Sequence, residues 1–302
     1  MEVHFGFPTA GVGPACVTIG SYDGVHLAHQ RIIERTLAAA AETGSQAALV
    51  TFEPHPRCVL DPSNCPGSIT TLKEKLELIE DLGVHHAVVL EFTRRLSERG
   101  PDEFMAGLRA GFDVRRVVCG PDFAFGHKRA GTAEWLRSHG YEIDVVPAFR
   151  LEGEEVRSSE IRRHVTAGEI ERADLLLGRP FTIAGLVEHG EQVGRTLGFP
   201  TVNLSVEAHK LVPANGVYAG WARAAGAEHM SALSIGYRPT FGGRQLRVEG
   251  HLLDFDGDLY QQWVELRFVC RIRDSQIKFD SPEELSAQIA KDVEATRRAL
   301  RD

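Results

Sequence analysis

The sequence predicts two domains of different architecture: an α/β domain with a mostly parallel sheet, then a small antiparallel barrel or sandwich with a C-terminal helix. The chain has 302 residues, about twice the length of a typical domain. Up to about residue 150, short β-branched runs alternate with amphipathic stretches, which predicts a sheet covered by helices on both faces. From Phe181 onward, strand-like runs are separated by clusters of Gly, Pro and Asn, which is typical of antiparallel structure.

The first half contains strands and helices joined by short links. The helix that begins at Pro101 shows both of its ends, because proline suits the first helical position and Gly111 follows the last turn. Ligands bind at the carboxyl ends of the strands in such a sheet, so functional residues are expected on the loops after strands. The predicted strands cover residues 16–20, 47–52, 86–92, 116–119 and 142–146, and the predicted helices cover residues 27–43, 72–82, 101–110 and 132–139.

The change of architecture is expected near residue 180. Two short predicted helices end at Gly168 and Gly178, and Pro180 then interrupts the chain. We therefore predict domains at residues 1–180 and 181–302. The elements on either side of this boundary are helices at 158–167 and 169–177, strand-like runs at 181–188, 216–222, 231–235, 246–255 and 263–272, and a final helix that Ser281-Pro282 opens.

Composition and charge exclude several classes of protein. Hydrophobic residues make up 43% of the chain and charged residues 25%, with 30 Gly and 14 Pro, which excludes a disordered or collagen-like protein. The formal net charge of -8 disfavours a surface that attracts DNA or anionic lipid, but it allows a local basic pocket for phosphate. We therefore expect no nucleic-acid partner, no membrane partner, and a monomer or weak homo-oligomer.

The cysteines and the N-terminal segment predict a cytoplasmic protein. An odd number of cysteines without a Cys-x-x-Cys pair favours reduced cytosolic thiols over a disulfide or zinc framework. Residues 1–10 lack the cationic start and apolar core of a secretion signal, and no apolar run is long enough to span a bilayer. The cysteines expected to be reduced are Cys16, Cys58, Cys65, Cys119 and Cys270.

A pair of histidines follows the first predicted strand. Gly20 and Gly24 flank a turn that leads to His26 and His29 at the start of the first helix. Backbone N–H groups and the helix dipole attract phosphate at such a place, and two histidines one turn apart can donate to a triphosphate. The alternative is a pair of surface histidines, and a zinc site would lack a third ligand at suitable spacing. The position directly after a strand favours phosphate binding.

Three further segments place phosphate donors or aromatic rings on predicted loops. Residues 51–57 follow the second strand and offer a histidine and an arginine, although a plain Pro-rich turn explains this segment equally well. Residues 120–131 combine turn glycines, two phenylalanines and three consecutive cationic or titratable side chains, which suits an aromatic ligand that carries phosphate. Residues 157–162 cap a helix with hydroxyls and place Arg162 one turn in, and alone this is an ordinary serine cap.

Two polar motifs mark the second half. Thr201 and Asn203 lie two residues apart, so in an extended segment their side chains point to the same side. Their oxygens suit a Mg²⁺ that bridges nucleotide phosphates, whereas a structural loop is the alternative. Glu249 lies in mid-strand, where a carboxylate could accept the proton of a substrate hydroxyl that attacks a γ-phosphate. The sequence contains no Gly-x-x-x-x-Gly-Lys-Ser/Thr loop, so other donors would bind ATP.

Taken together and in this order, the four motifs of the first half resemble the adenylyltransferase module of bacterial bifunctional riboflavin kinase/FAD synthetases, relatives of the His-x-Gly-His nucleotidylyltransferases. The motifs are residues 20–29, 51–57, 120–131 and Ser158-Ser159-x-x-Arg162. The resemblance implies a Rossmann-like nucleotidyltransferase fold. It also implies that ATP and FMN react to give FAD and pyrophosphate, with Mg²⁺ and without a covalent enzyme intermediate.

The second half resembles the riboflavin kinase module of the same enzymes. This resemblance implies a six-stranded antiparallel β-barrel with a C-terminal helix, and the ATP-dependent phosphorylation of riboflavin to FMN. Together the two resemblances extend from about residue 14 to residue 298, nearly the whole chain. The matching segments of the second half are residues 185–190, 197–203, 213–218, 235–241, 252–255, 258–260 and 279–298.

The resemblance also implies roles for individual residues. Glu249 would be the base toward the ribityl hydroxyl, and His29 and Arg162 would act on the adenylyl transition state. The nucleotide-binding residues would be Gly20, Asp23, Gly24, His26, His29, Ser158, Ser159, Arg162, Thr201 and Asn203, of which Thr201 and Asn203 would hold Mg²⁺ with ATP. The flavin-binding residues would be Asn64, Asp122, Phe123, Phe125 and Arg195, with Asn64 placed by analogy only.

Five positions depart from the family pattern, and one of them is Ser159, which stands for the threonine of Ser-Ser-Thr and keeps a hydroxyl. Ala28 replaces the glycine of His-x-Gly-His, and Arg157 stands where the first serine of Ser-Ser-Thr is usual. Ser234 stands where many members have Asn, and Gly250 follows the base where a larger residue is usual. The expected ligands are riboflavin, FMN, FAD and ATP. The alternatives are a paralogue with altered flavin or nucleotide specificity or with one active half, a flavin sensor or carrier without chemistry, and a nucleic-acid-binding protein.

Overall fold

A computed structural model describes residues 1–9, 11–190, 193–240, 243–274 and 280–301. Phe241 and Phe279, which belong to two of the motifs above, lie outside these residues. The chain divides into two compact units, Met1–Ser158 and Ser159–Asp302. This division falls two short helices earlier in the chain than residue 180. The predicted domain boundary near residue 180 stays a prediction.

The first unit is built on a six-stranded sheet in the order β1-β4-β3-β2-β5-β8, with every neighbouring pair parallel. The predicted parallel α/β architecture is therefore confirmed. The edge strand β1 was not predicted, because it is only four residues long and pairs with a single neighbour. The sheet strands are β1 (Glu2–Phe5), β2 (Gly13–Ile19), β3 (Gln46–Glu53), β4 (His86–Glu91), β5 (Phe112–Cys119) and β8 (Glu142–Val145).

Four predicted helices of this unit appear within one residue of their expected ends, namely α1 (Leu27–Glu42), α3 (Leu72–Asp81), α5 (Pro101–Arg109) and α6 (Ala133–Ser138). Local capping explains the agreement: Thr71 and Glu74 form a reciprocal capping box at α3. The remaining elements are short: α2 (Pro56–Leu60), α4 (Arg94–Ser97), β6 (Ala124–Phe125), β7 (Gly131–Thr132), β9 (Arg150–Leu151), β10 (Glu154–Glu155), and 3₁₀ helices at Pro62–Asn64 and His127–Arg129.

Helices cover both faces of the sheet, as predicted. Successive residues of a strand point to opposite faces, and Leu49 and Val50 of β3 belong to different core clusters. On one face Val50 shares a cluster with Phe104 of α5, and on the other Leu49 shares a cluster with Ile33 of α1 and Ile79 of α3. The carboxyl edge of the sheet is left to the loops, where ligands bind in this architecture.

The second unit contains a closed antiparallel barrel in the strand order β11-β12-β15-β14-β13-β16. The six-stranded barrel implied by the resemblance is confirmed, and the sandwich alternative is wrong. The sequence pattern did not predict β12 as a strand, because it follows a segment rich in turn residues. The elements are α7 (Ser158–Ala167), α8 (Ile170–Leu177), β11 (Thr182–Glu188), α9 (Val193–Thr196), β12 (Val202–Val206), β13 (Gly216–Ala224), β14 (Ala227–Thr240), β15 (Gly243–Leu252), β16 (Trp263–Arg273) and α10 (Pro282–Ala299).

The C-terminal helix is tied to the barrel by an ion pair. Asp292 of α10 accepts two hydrogen bonds from Arg273 of β16, at 2.8 Å from Nε and 2.7 Å from an Nη. Gln288, one turn earlier, donates a further bond of 2.9 Å to the same carboxylate. The helix starts where expected, since the Ser281 hydroxyl accepts from the Glu284 amide at 3.2 Å.

The prediction of reduced cysteines is wrong for Cys58 and Cys65, which form a disulfide. The α2 turn and the following 3₁₀ helix fold this segment back, so the two Cα atoms lie 4.2 Å apart. A spacing of seven residues does not reveal such a reversal. The other three cysteines are free: Cys16 and Cys119 are buried, and Cys270 is partly buried. None of the helices in the described parts of the chain combines the length and the apolar character that a bilayer-spanning segment needs.

Candidate functional sites

The first candidate site is a cavity of about 330 Å³ at the carboxyl edge of the parallel sheet. Its walls come from the residues after β2, β5 and β8, from the start of α1, and from Ser158. Gly20, His26, His29 and Ser158 of the predicted nucleotide-binding set line it. The cavity therefore lies at the edge of the sheet where ligands bind in this architecture.

The two histidines of the first motif lie against each other at the start of α1. The rings of His26 and His29 are stacked with centroids 3.6 Å apart, and the Tyr22 ring lies 4.9 Å from that of His29. His26 caps the helix, since its Nδ1 accepts the His29 amide at 3.3 Å. This bond leaves Nε2 as the protonated nitrogen of the neutral ring. Burial raises the pKa of Tyr22, whose hydroxyl bonds to Thr18, so this phenol stays neutral.

Asp23 and Gly24 shape the turn before the histidines. The Asp23 carboxylate is buried and accepts the backbone amides of Ile69 and Thr70 at 3.2 and 3.1 Å. Gly24 has a φ of +85°, and a Cβ there would lie 3.0 Å from Ile69, so this position favours glycine twice over. Neither residue lines the cavity. In this structure both hold the loop that presents Gly20 and His26.

The predicted flavin-side residues of this unit are distributed over three places. Asp122 and Phe123 line the cavity. Phe125 is 6% exposed and packs against Phe104 and Trp135, so its ring belongs to the core. Asn64 lies outside the cavity lining in the 3₁₀ helix after α2, where its amide donates to Asp61 at 2.8 Å. This bond and one from Ser63 lower the pKa of the Asp61 carboxyl.

Ser158, Ser159 and Arg162 lie in the first turns of α7, as the capping pattern predicted. The Ser158 hydroxyl donates to the Asp23 carbonyl at 3.0 Å, which joins the helix start to the loop before His26. Arg157 lines the cavity and donates to Glu155 and Asp122, at 2.5 and 3.3 Å. The two carboxylates therefore partly neutralise the arginine that stands in place of a serine.

Sequence reasoning missed one wall of this cavity. Residues 146–149, directly after β8, line it together with Val156. Phe149 is held by the Arg31 guanidinium, which lies 3.8 Å from the ring centroid. The signal was available, because a predicted strand at 142–146 ends in the same parallel sheet. A buried lysine was also missed: Lys75 lies 3.4 Å from the Thr51 hydroxyl, and burial lowers its pKa.

The second candidate site is a cavity of about 430 Å³ on the barrel. Two loops form most of it, residues 195–202 before and into β12 and residues 255–260 between β15 and β16. Arg195 and Thr201 of the predicted set line it. The second loop belonged to the predicted match with riboflavin kinases but had no assigned role, although it brings the carboxylates of Asp256 and Asp258 to the cavity wall.

Asn203 and Glu249 face each other across neighbouring strands. Asn203 of β12 pairs with Glu249 of β15, which pairs in turn with Ser234 of β14. Directly opposed residues of antiparallel strands share one face of the sheet, so the three side chains form a row. Arg247, two residues before Glu249, donates to its carboxylate at 3.3 Å. Neither Asn203 nor Glu249 lines the cavity itself. Thr201 lies two residues before Asn203, directly before the first residue of β12.

Two glycines, one beside this row and one in the adjacent row, are closely surrounded. A Cβ on Gly190 would lie 2.4 Å from the Asn203 side-chain nitrogen, so the backbone there reaches the amide directly. Gly250 is in the adjacent register row, and a Cβ there would meet Leu266, Leu233 and Val202 at 3.3 to 3.5 Å. Gly250 therefore faces the barrel core, on the opposite side of the strand from Glu249.

Comparison with known proteins finds two family matches, one after the other along the chain. The sequence matches the FAD synthetase family over residues 11–160 and the riboflavin kinase family over residues 177–300. A protein of Listeria monocytogenes named bifunctional riboflavin kinase/FMN adenylyltransferase is 38% identical over 288 residues, which cover 93% of this chain and 91% of that protein. A protein of Bacillus subtilis with the same name is 35% identical, with 91% and 89% coverage.

A solved structure is also similar over nearly the full length. The crystal structure of a Streptococcus pneumoniae protein named macrolide-efflux protein has a TM-score of 0.90 and 29% identity to this chain. The similarity covers 98% of this chain and 99% of that one. The efflux name is that of the S. pneumoniae protein. The sequence of this chain, in contrast, matches two families of flavin enzymes, one in each unit. On its two sequence matches and its full-length relatives, the chain belongs to the bifunctional riboflavin kinase/FMN adenylyltransferase family.

Proposed function

We propose that the chain phosphorylates riboflavin to FMN in residues 181–302 and adenylylates FMN to FAD, with release of pyrophosphate, in residues 1–180. The observation that carries this division is the position of the cavities. The cavity beside His26 and His29 is lined by residues 19–158, within the FAD synthetase match. The cavity beside Thr201 is lined by residues 187–260, within the riboflavin kinase match. The two cavities therefore support a separate pocket for each activity.

In the adenylyl step, an FMN phosphate oxygen attacks the α-phosphorus of ATP, and the bond to pyrophosphate breaks. The stacked pair His26 and His29 at the start of α1 donates hydrogen bonds to the phosphates, where the helix dipole also favours negative charge. Ser158, Ser159 and Arg162 contribute the hydroxyls and the positive charge of the second motif. Gly20 allows the backbone to come close to the nucleotide, and Asp23 and Gly24 fix the loop.

The flavin side of the adenylyl site is assigned to Asp122 and Phe123. Both line the cavity, and the Phe123 ring offers a flat apolar surface to an isoalloxazine. Phe125 supports Phe123 from the core, since the two rings are stacked 5.5 Å apart. Asn64 is assigned to the flavin by analogy, from the loop that the Cys58–Cys65 disulfide closes.

In the kinase step, the ribityl 5′-hydroxyl attacks the γ-phosphorus of ATP and loses its proton to Glu249. Arg247 orients the carboxylate by the 3.3 Å hydrogen bond, and Asn203 lies opposite it in the same row. Arg195, in the cavity wall, is assigned to the flavin side. Catalysis in this step is mostly positioning and charge compensation, as in phosphoryl transfer generally.

The donor set of the barrel fits Mg²⁺ bound with ATP. Thr201 lines the cavity together with Asp256 and Asp258, and Asn203 follows two residues later in β12, outside the cavity lining. Such hard oxygen ligands are those that Mg²⁺ accepts while it keeps several waters. When bound, the ion would compensate phosphate charge. Thr201 and Asn203 would hold it, and Asn203 is itself held against the backbone of Gly190.

The remaining proposals concern partners and location. We assign riboflavin, FMN, FAD and ATP as ligands, no nucleic acid and no membrane, a monomer or weak homo-oligomer, and a cytoplasmic location. The net charge of -8 supports the absence of polyanionic partners. The dependence on cytosolic ATP supports the location, whereas the disulfide removes the cysteine argument for it.

The two-site assignment is tested by separating the activities. Glu249→Ala is expected to abolish FMN production from riboflavin and to leave FAD production from supplied FMN unchanged. His29→Ala is expected to abolish FAD production from supplied FMN and to leave FMN production from riboflavin unchanged. Glu265→Ala, another mid-strand glutamate of the same barrel, is the matched control and should retain both activities. Loss of both activities in Glu249→Ala, with normal folding, would contradict separate sites.

The paralogue alternative has one structural observation in its favour, because Ala28 and Arg157 both line the adenylyl cavity. Incubation of the enzyme with FMN and each nucleoside triphosphate, with products identified by mass, distinguishes the cases. FAD as the main product supports the proposed nucleotide, and a different dinucleotide product supports altered specificity. Stoichiometric flavin binding without any product would support a carrier.

A further inference from the structure

A cluster of two histidines and a glutamate lies at the amino edge of the parallel sheet, opposite the edge that carries the adenylyl cavity. Glu2 and His4 are on the edge strand β1, and His86 is the first residue of its neighbour β4. In the register of this pair, Glu2 lies beside His86. His86 is 5% exposed, whereas Glu2 reaches from the surface. The proposed function uses none of these residues.

The ligand atoms of the three side chains are spaced as a metal ion requires. His4 Nε2 lies 3.2 Å from His86 Nδ1. Glu2 Oε1 lies 3.7 Å from His4 Nε2, and Glu2 Oε2 lies 3.5 Å from His86 Nδ1. Ligands at roughly 2.1 Å from a tetrahedral zinc ion are separated by about 3.4 Å. The three distances are close to this value although they involve both oxygens of Glu2, and one ligand atom of each residue lies within 4.8 Å of the other two. Small side-chain rotations would bring these three atoms to one ion.

A neighbouring amide sets the protonation state of the buried histidine. The His86 Nε2 lies 2.6 Å from the Gln46 side-chain oxygen, which can only accept, so Nε2 carries the proton. Nδ1 then presents its lone pair toward His4 and Glu2. Metal-bound histidines are oriented by such a bond from the second ring nitrogen. The Phe112 ring packs edge-on against both imidazoles, with centroids 6.2 Å from His4 and 5.7 Å from His86, and forms an apolar wall.

We propose that Glu2, His4 and His86 bind one divalent first-row transition-metal ion, such as Zn²⁺, with a fourth position open to water. Two imidazoles and one carboxylate suit zinc and its neighbours, whereas Mg²⁺ prefers oxygen ligands alone. The ion would join the edge strand β1 to β4, and it would stabilise the first unit without a part in either reaction. The simpler alternative is a hydrogen-bonded histidine pair with a nearby surface carboxylate.

The test uses the full chain without an N-terminal extension, stripped with a chelator and titrated with ZnCl₂ by calorimetry. Glu2→Gln removes an exposed ligand with little risk to the fold, and His4→Gln removes a second. Each variant is expected to lose one bound zinc equivalent or to bind zinc at least tenfold more weakly. Gln46→Ala removes the acceptor that orients the His86 ring, and it is expected to weaken zinc binding by about 10- to 100-fold. His209→Asn, an exposed histidine of the second unit, is the matched control and should bind like the parent.

Thermal unfolding provides a second readout. Zinc is expected to raise the melting temperature of the first unit in the parent protein and not in Glu2→Gln or His4→Gln. His26 and His29 could also attract zinc. The quantity that tests the proposal is therefore the difference in zinc binding between parent and variant, and not the total amount of zinc bound. Equal zinc affinity within twofold in parent, Glu2→Gln and His4→Gln would overturn the proposal, and so would a parent protein that binds no zinc.

Discussion

Asp174, near the end of α8, is expected to make the barrel unit less stable as pH rises. Its carboxyl is largely withdrawn from water, and burial raises its pKa from the ordinary 3.8 to about 7. The amide of Phe181, which donates to Oδ1 at 2.7 Å, lowers the pKa by a smaller amount. Glu171 raises the pKa further, and Arg179 and Arg267 lower it. The folded state therefore keeps a proton that the unfolded chain releases.

The sign and size of the effect follow from this difference. Below about pH 4 both states hold the proton, and above about pH 7 both have released it. Between these values the folded state binds more protons, so the free energy of unfolding falls as pH rises. At about 1.4 kcal/mol per pKa unit, the full loss is on the order of 4 kcal/mol. Asp174→Asn cannot ionise, and its oxygen can still accept the Phe181 amide, so the variant should avoid this loss.

The assay is guanidinium unfolding of parent and Asp174→Asn at several pH values from 4 to 8. Of the three tryptophans, Trp221 and Trp263 report on the barrel, so both proteins carry Trp135→Phe to silence the first unit. The stability advantage of Asp174→Asn should grow from near zero at pH 4 to several kcal/mol at pH 8. Asp280→Asn, at an exposed position, should follow the parent. Parallel pH profiles for parent and Asp174→Asn would refute the reasoning.

Three other predictions follow from packing and covalent structure. Gly24→Ala should destabilise the first unit by about 1–2 kcal/mol through its left-handed φ and impair FAD synthesis but not riboflavin phosphorylation; Gly44→Ala, with positive φ but open space, should leave both activities intact. Asp292→Ala should cost the barrel about 3 kcal/mol in unfolding measurements, because it leaves the Arg273 guanidinium without its carboxylate partner, and an unchanged stability would contradict a structural ion pair. Thiol titration of the denatured chain should find three thiols before reduction and five after it, and five at the outset would show that the disulfide is absent.

Much of the fold was predictable because local and global signals agree. The capping box at Thr71 and the proline at Pro101 define helices that the core also requires, so four helix boundaries were accurate to one residue. The failures lie where neighbours decide the structure. Strand β1 has little signal of its own and depends on pairing with β4, and β12 begins directly after a turn-rich segment. Pairing partners distant in sequence are not visible in local pattern.

The residues of the candidate sites show the same contrast between local sequence signals and contacts between distant segments. His26 and His29 were identifiable because they follow a strand and open a helix, which a short stretch of sequence shows. The wall at 146–149 and the carboxylates Asp256 and Asp258 were missed, because they reach the cavities only through folding. Phe125 illustrates a different point: it lies in a motif loop and its ring packs in the core, so its assignment to the flavin stays a prediction.

The structure also separates the departures from the family pattern by their expected effect. Gly250 faces the barrel core, so its missing side chain concerns packing against Leu233 and Leu266 and not the environment of Glu249. Ala28 and Arg157 both line the cavity beside His26 and His29, where Ala28 adds a methyl group at the start of α1 and the Arg157 guanidinium is bound to Glu155 and Asp122. Any change in specificity is therefore expected in the adenylyl half, with riboflavin phosphorylation retained. The reverse result, normal FAD synthesis from FMN with an altered kinase substrate, would require a cause outside these positions.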